Sequence, residues 1–369
     1  MACLFDYIKW RGDLDFNVSP FNPVDNIIFS QLSYLTLDGI VPGHEDNEGI
    51  SIALAVRVYN EKSSKPGFKL SSIFKEDHEL IRALGASRRF GNCQLFGFVN
   101  NVNEDREIQF SAICVYTSDD HCFVAYRGTD SSILGWKEDF NMCFKDVIPS
   151  QLAAVDYIEK MAPKINGSLR VGGHSKGGNL AIYAASNCDS KIQKRITTIY
   201  SNDSPGFNKK FIYSDGFNAI KDKIRFYVPQ SSVIGMFMEH GTDYTVIKSN
   251  ENGLMQHNLY SWDVTYNDLA LAEKTTVGSK FVNDTLREWL ANLDNAEREN
   301  FIEAVYHILT AADIKSLSEL DTSWFSLLGR VYKSQSSMED SQKKIIWQTL
   351  KELVHSAGRN LETLLKSEK

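Results

Sequence analysis

Residues 169–185, LRVGGHSKGGNLAIYAA, run an apolar strand, a glycine-rich corner and an alanine-rich helix together with no linker. A strand that turns so sharply into a helix holds its corner residue in a strained backbone conformation. Side chains on either flank would meet neighbouring backbone. Glycines at 173 and 177 remove that obstacle, and the corner residue is Ser175. Gly-x-Ser-x-Gly between a strand and a helix is the nucleophile-elbow pattern. It lifts the hydroxyl above the C-terminal edge of the strand, where open α/β sheets bind ligands. The amide of Lys176, at the helix N-terminus, points to the same spot and suits a developing negative charge. A plain glycine-rich turn is the competing reading; the strand before the corner and the helix after it favour the elbow.

The rest of the chain predicts the sheet that such a corner needs. Before it, QLFGFVNNV, EIQFSAICVYT and HCFVAYRG alternate as strands between polar turns, and SQLAAVDYIEKMAP reads as a helix closed by Pro163. After it, ITTIYSN, IRFYVP and YTVIKS are further strands. Hairpins first and strand–helix alternation next predict an α/β fold with a mainly parallel central sheet and helices on both faces. Residues 1–92 read as a helical and loop segment packing on that core, with NPVDNIIFSQLSYL helical and the charges of LSSIFKEDHELIRALGASRRFGN forming a solvated face. Residues 93–266 form the core. From 267 to 369 strand signals stop, and VNDTLREWLANL, RENFIEAVYHILTAAD, SWFSLLGRVYKS and KKIIWQTLKELVHSAGRNLETLLKSEK read as amphipathic helices.

Composition excludes several classes. A length of 369 residues, 43% hydrophobic and 24% charged, is ordinary for a soluble globular chain of one large core or two domains. The net charge of −7 argues against a general nucleic-acid binder. The N-terminus lacks a signal-peptide pattern, and no stretch is apolar enough to span a membrane, which predicts a cytoplasmic protein. Cys3, Cys93, Cys114, Cys122, Cys143 and Cys188 show no Cys-x-x-Cys spacing and are expected as reduced thiols. The stretch DLDFN begins like a calcium loop, but Val18 and Val24 occupy the places of its glycine and glutamate. No phosphate-loop or His-Glu-x-x-His pattern is present, so neither a metal nor a cofactor is expected. The tail aromatics Trp289, Phe301, Tyr306, Trp324, Phe325 and Trp347 fit a helical core.

A serine hydroxyl attacks only when a base takes its proton, and a carboxylate usually orients that base. Of the histidines after the corner, His257 follows the last strand by a loop and is the expected base. His240 precedes that strand and is the weaker candidate; His307 and His355 lie in the helical tail, and His174 is expected to pack under the corner. For the acid, Asp203 stands at the end of the strand after the corner helix, with a turn cap before Pro205 and Gly206 as its alternative. Glu239 and Asp243 come later. Thr129, by its hydroxyl or its amide, is the candidate second oxyanion donor, with an N-cap as the bland alternative.

With Arg127-Gly128-Thr129, Trp136 and Asp139 on one loop and Gly173-His174-Ser175 with Gly177-Gly178 on the other, the chain resembles the class-3 lipases of the α/β-hydrolase fold. It is similar, more closely still, to an uncharacterised bacterial branch carrying GHSKGGNLA, which also looks alike at WRGDLDF, NPVDNIIFSQLSY and QHNLYSW. The resemblance implies Ser175 as nucleophile, Thr129 and Lys176 as oxyanion donors, and Asp139 holding the Thr129 loop. It places the family's acid after a strand like IRFYVP, where this chain has Gln230, Ser231 and Ser232. Lys176 replaces a small or apolar residue of the family; its side chain is expected in solvent, with a bias toward anionic substrates as the alternative. The implied activity is hydrolysis of a carboxyl ester (a lipid, acylglycerol or small ester), with thioesters and amides sharing the chemistry. A hydrolase fold kept as a weak or inactive binding scaffold is the alternative.

Overall fold

Strand β3 (Ile108–Tyr116) shows how the sheet is covered. Its residues alternate between Ala112 and Cys114 on one face and Ile113 and Val115 on the other, the two-residue period of a strand buried on both sides. The computed structural model describes residues 2–63, 74–130, 132–142, 144–311 and 340–367. Its central sheet has eight strands in sequence order: β1 (Ile50–Ser51), β2 (Gln94–Asn103), β3, β4 (His121–Tyr126), β5 (Ser168–His174), β6 (Ile196–Asn202), β7 (Ile224–Pro229) and β8 (Thr245–Ile247). Strands β1 to β4 pair antiparallel; β4 to β8 run parallel. A two-strand ribbon, β9 (Val264–Thr265) with β10 (Asp268–Leu269), follows. Each expected strand is present, while β1, β9 and β10 are too short to leave a periodic signal.

One sheet face is closed by the N-terminal helices α1 (Leu4–Arg11), α2 (Pro23–Leu32), α3 (Ile52–Ser63), α4 (Asp77–Ala86) and α5 (Arg88–Gly91). The start of α2 is fixed by Asn22, which accepts from the Val24 amide at 2.9 Å, while Asp25 accepts from the Asn22 amide at 3.0 Å. The solvated face expected on 70–92 is present in Lys75, Glu79, Arg82 and Arg88, which are exposed, but two charges of the segment depart from it. Asp77 and Arg89 are buried. Asp77 accepts from Gln31 Nε2 and the Tyr260 hydroxyl. Arg89 donates to both Asp25 oxygens (2.9 and 2.6 Å) and to the carbonyls of Leu14, Ser19 and Pro20. A helix-period reading sees only the α4–α5 face and misses carbonyls brought in from a distant loop.

The opposite face is covered by α7 (Pro149–Met161) and α8 (Lys176–Asn187). A short helix, α6 (Ile133–Asn141), stands between β4 and α7. Helices α9 (Ser190–Arg195), α10 (Lys209–Ile212) and α11 (Asp215–Ile220) fill the parallel crossovers. The tail forms α12 (Val277–Ala291), α13 (Asn295–Ala311) and α14 (Asp340–Ser367). SWFSLLGRVYKS, with Trp324 and Phe325, lies outside the described residues, as does Cys143. Trp347 departs from the expected helical core: it is exposed on α14.

Candidate active site

The corner between β5 and α8 holds Ser175 at φ +56°, a left-handed conformation uncommon outside glycine. Its amide donates to the Asn202 carbonyl of β6 at 2.9 Å, which fixes the turn against the next strand. The flanking glycines are required by contact. A Cβ on Gly177 would lie 2.1 Å from the Tyr126 carbonyl oxygen, and one on Gly173 2.4 Å from the Gly177 carbonyl carbon. Gly128 packs equally tightly, so the loop after β4 lies directly against Ser175. As the first residue of α8, Lys176 has no helical carbonyl for its amide.

Asp203 follows β6, also in the left-handed region at φ +47°. Its Oδ2 meets His257 Nδ1 at 2.6 Å, and its Oδ1 accepts from the Ser232 hydroxyl at 2.5 Å and the Gly235 amide at 3.1 Å. The carboxyl is buried and the imidazole half-buried. Ser232, in the loop after β7 where the family resemblance places its acid, therefore hydrogen-bonds a carboxylate that arrives from β6. His257 lies in a 3-10 turn at 253–257. Its carbonyl accepts from His174 Nε2 at 2.8 Å, and His174 Nδ1 accepts from the Tyr34 hydroxyl at 3.0 Å. Burial holds His174 well below the ordinary histidine pKa, in the neutral form these bonds require. Gly128 packs closely against the same Tyr34 hydroxyl. Tyr34 thus joins the loop after β4, the elbow and the loop carrying His257.

Thr129 Oγ1 lies 2.6 Å from both carboxylate oxygens of Asp139 on α6. Burial pushes the Asp139 pKa up to about 6, against the pull of the nearby Lys176 ammonium. Arg127 is buried, donating to Asn100 at 3.1 Å and standing 3.8 Å from Asp130. Trp136 stacks obliquely on Phe140.

The expected solvent exposure of the Lys176 side chain is wrong. Its ammonium is fully buried, donating to Glu138 Oε2 (2.7 Å), Gln109 Oε1 (2.8 Å) and the Gln109 carbonyl (3.0 Å). Glu138 also accepts from the Gln109 and Ser150 amides. The side chain runs away from solvent because a carboxylate on α6 waits beneath the corner, and it is not free to receive an anionic substrate.

Ser175, His257, Thr129, Trp136 and Asp139 line one cavity of about 350 Å³, whose remaining wall is mostly apolar. His240 lies outside it and stacks on Phe226 with 4.4 Å between ring centroids. Its Nε2 is buried without a hydrogen-bond partner, and burial lowers its pKa to about 4. Because the unfolded chain takes up this proton first, stability falls as pH drops from 6.5 to 4, by up to about 3 kcal/mol. His174 contributes in the same direction. His240→Phe is expected to reduce the stability difference between pH 7 and pH 4.5, measured by urea unfolding; an unchanged difference would refute this account of His240. His355 is exposed on α14, and the side chain of His307 is outside the described residues. Glu239 pairs with Arg287 at 2.6 Å. Among the described residues no cluster of His, Cys, Asp and Glu could hold a metal ion.

Sequence comparison finds no curated protein that matches. Solved structures resembling the chain include Lip2 lipase from Yarrowia lipolytica, at 12% identity over 67% of this chain and 95% of that one, TM-score 0.36. M37 lipase matches at 17% identity over 57% and 68%, TM-score 0.33. A Rhizomucor miehei lipase propeptide complex matches at 14% identity and TM-score 0.32 over 42% of this chain, which spans 57% of that one. A family model described as Mbeg1-like matches residues 84–307, more than half of the chain and the stretch that contains both loops of the cavity. The mainly parallel sheet covered by helices is an α/β fold, and the chain belongs to the Mbeg1-like family, which is class-3-lipase-like.

Proposed function

We propose that the protein is a serine hydrolase that cleaves carboxyl esters through an acyl-enzyme on Ser175. The observation that carries this reading is the convergence on one apolar cavity of a serine on a left-handed corner and a histidine bonded to a buried carboxylate. In the proposed cycle the Ser175 hydroxyl attacks the acyl carbonyl and gives its proton to His257 Nε2. Asp203, accepting at Nδ1, holds the imidazole in the tautomer that can take that proton and stabilises the imidazolium. The Thr129 and Lys176 amides receive the oxyanion. His257 returns the proton to the departing alcohol, and water then clears the acyl group by the same route. Thioesters and amides share the steps, and pocket shape decides among them.

In this scheme residues 1–92 close one sheet face, 93–266 carry the chemistry and 267–369 are a helical region. No helix among the described residues is long and apolar enough to cross a membrane. A cytoplasmic setting is part of the proposal, supported by the five described cysteines, all free thiols.

A fluorophosphonate probe tests the reading directly. The folded protein is expected to label on Ser175, and Ser175→Ala to lose both the label and at least about 10³-fold of p-nitrophenyl ester hydrolysis. Folded protein that takes no label at Ser175 would end the proposal.

A further inference from the structure

We infer that the C-terminal helices form a fixed roof over the cavity and that Leu286, Trp289 and Leu290 of α12 set the length of acyl chain the site accepts. This rests on the serine-hydrolase reading and adds to it a specificity determinant outside the sheet. The three residues stand at i, i+3 and i+4, one face of a helix, and all line the cavity that contains Ser175 and His257. Trp136, Phe140 and Phe237 line the same cavity.

The roof is fastened on several sides. At the start of α12, the Thr276 amide donates to the Gln230 carbonyl at 2.7 Å and the Ser279 hydroxyl bonds the Ser232 carbonyl. The anchoring loop is therefore the one whose Ser232 side chain holds Asp203. Along the helix, Arg287 pairs with Glu239 at 2.6 Å. Trp289 Nε1 donates to the Thr349 carbonyl of α14 at 2.9 Å, and Glu288 receives Asn360 Nδ2 at 2.6 Å together with Arg359. Helix α13 is tied to α6 by Lys137 and Glu303 at 2.7 Å, one residue from Trp136.

Size and charge then define the ligand. A cavity of about 350 Å³ lies at the small end of ligand pockets, which run from roughly 300 to 1,000 Å³, and has room for one ligand chain. For an ester substrate, that is an acyl chain of medium length. Among the described lining residues the only lysine or arginine is Lys176, whose ammonium is consumed by Glu138, while Asp130 and Asp139 contribute carboxyl groups. A neutral acyl chain fits this wall; an anionic headgroup does not.

The test is a series of p-nitrophenyl esters from acetate to palmitate, with fluorophosphonate labelling measured in parallel. Wild type is expected to give its highest kcat/KM between the two ends of the series, at a medium acyl chain. Leu286→Trp, which fills space at a half-buried position, is expected to lower the decanoate-to-butyrate ratio of kcat/KM by about 10-fold or more. Trp289→Ala is expected to move the optimum to longer chains; should it fail to fold, Leu286→Trp decides. A Leu286→Trp protein that labels at Ser175 but keeps the wild-type ratio overturns the roof as a specificity element and leaves the hydrolase reading standing. Wild-type protein that does not label at Ser175 removes the hydrolase reading and this inference with it.

Discussion

Asp203→Asn is expected to lower kcat for ester hydrolysis by about 10³- to 10⁴-fold while leaving the fold intact. The two oxygens of Asp203 do different work. Oδ1 is engaged by the Ser232 hydroxyl and the Gly235 amide, both donors, so an asparagine keeps its carbonyl oxygen on that side. Its amide nitrogen must then face His257 Nδ1, where the carboxylate now sits at 2.6 Å. An N–H pointed at Nδ1 makes that nitrogen the acceptor and moves the imidazole proton to Nε2, the atom required to receive the serine proton. The protein would retain its cavity and the proposed oxyanion donors, with the wrong tautomer for the proposed cycle. Steady-state kinetics on a p-nitrophenyl ester, with fluorophosphonate labelling rates, measure the loss. A loss of less than about 10-fold would mean that Asp203 is the turn cap its position before Pro205 also suits.

This residue also marks how far the sequence could be read. The corner at Ser175 was legible because local stereochemistry, two glycines and a strand–helix junction, dictates it without help from distant parts of the chain. The sheet was legible for the same reason, since β3 and β4 announce both faces by alternation. His257 followed from its position in a loop after the last long strand signal. Which carboxylate meets His257 required knowledge of the strand end that the loop of His257 comes down upon, and that is set by the order of β6 and β7 in the sheet and the place of the 253–257 turn rather than by spacing. Tyr34 was unreadable as part of the site: its hydroxyl acts 140 residues away from its own position, on His174. The wall supplied by α12 was invisible because an amphipathic helix declares an apolar face without declaring what that face covers.

Lys176→Met is expected to destabilise the protein by about 3–5 kcal/mol, measured by urea unfolding at pH 7, because it leaves the Glu138 charge buried with no cation beside it. The sequence suggested a solvated side chain, for which the expected cost would be within about 1 kcal/mol. The structure separates these outcomes: both partners are fully buried at 2.7 Å, and the ammonium satisfies two oxygens of Gln109 as well. Glu138→Gln in the Lys176→Met background removes the stranded charge and is expected to restore part of the loss. Recovery is incomplete because both Glu138 oxygens accept backbone amides, from Gln109 and Ser150, and a glutamine offers only one acceptor oxygen. The pair also joins α6 to the first residue of α8, so it fixes the Thr129–Asp139 loop relative to the corner serine. The single variant is therefore expected to lose ester hydrolysis beyond its loss of folded protein, chiefly in kcat, through displacement of the proposed oxyanion donors. A Lys176→Met protein as stable and as active as wild type would show that the buried pair neither supports the fold nor positions the loop.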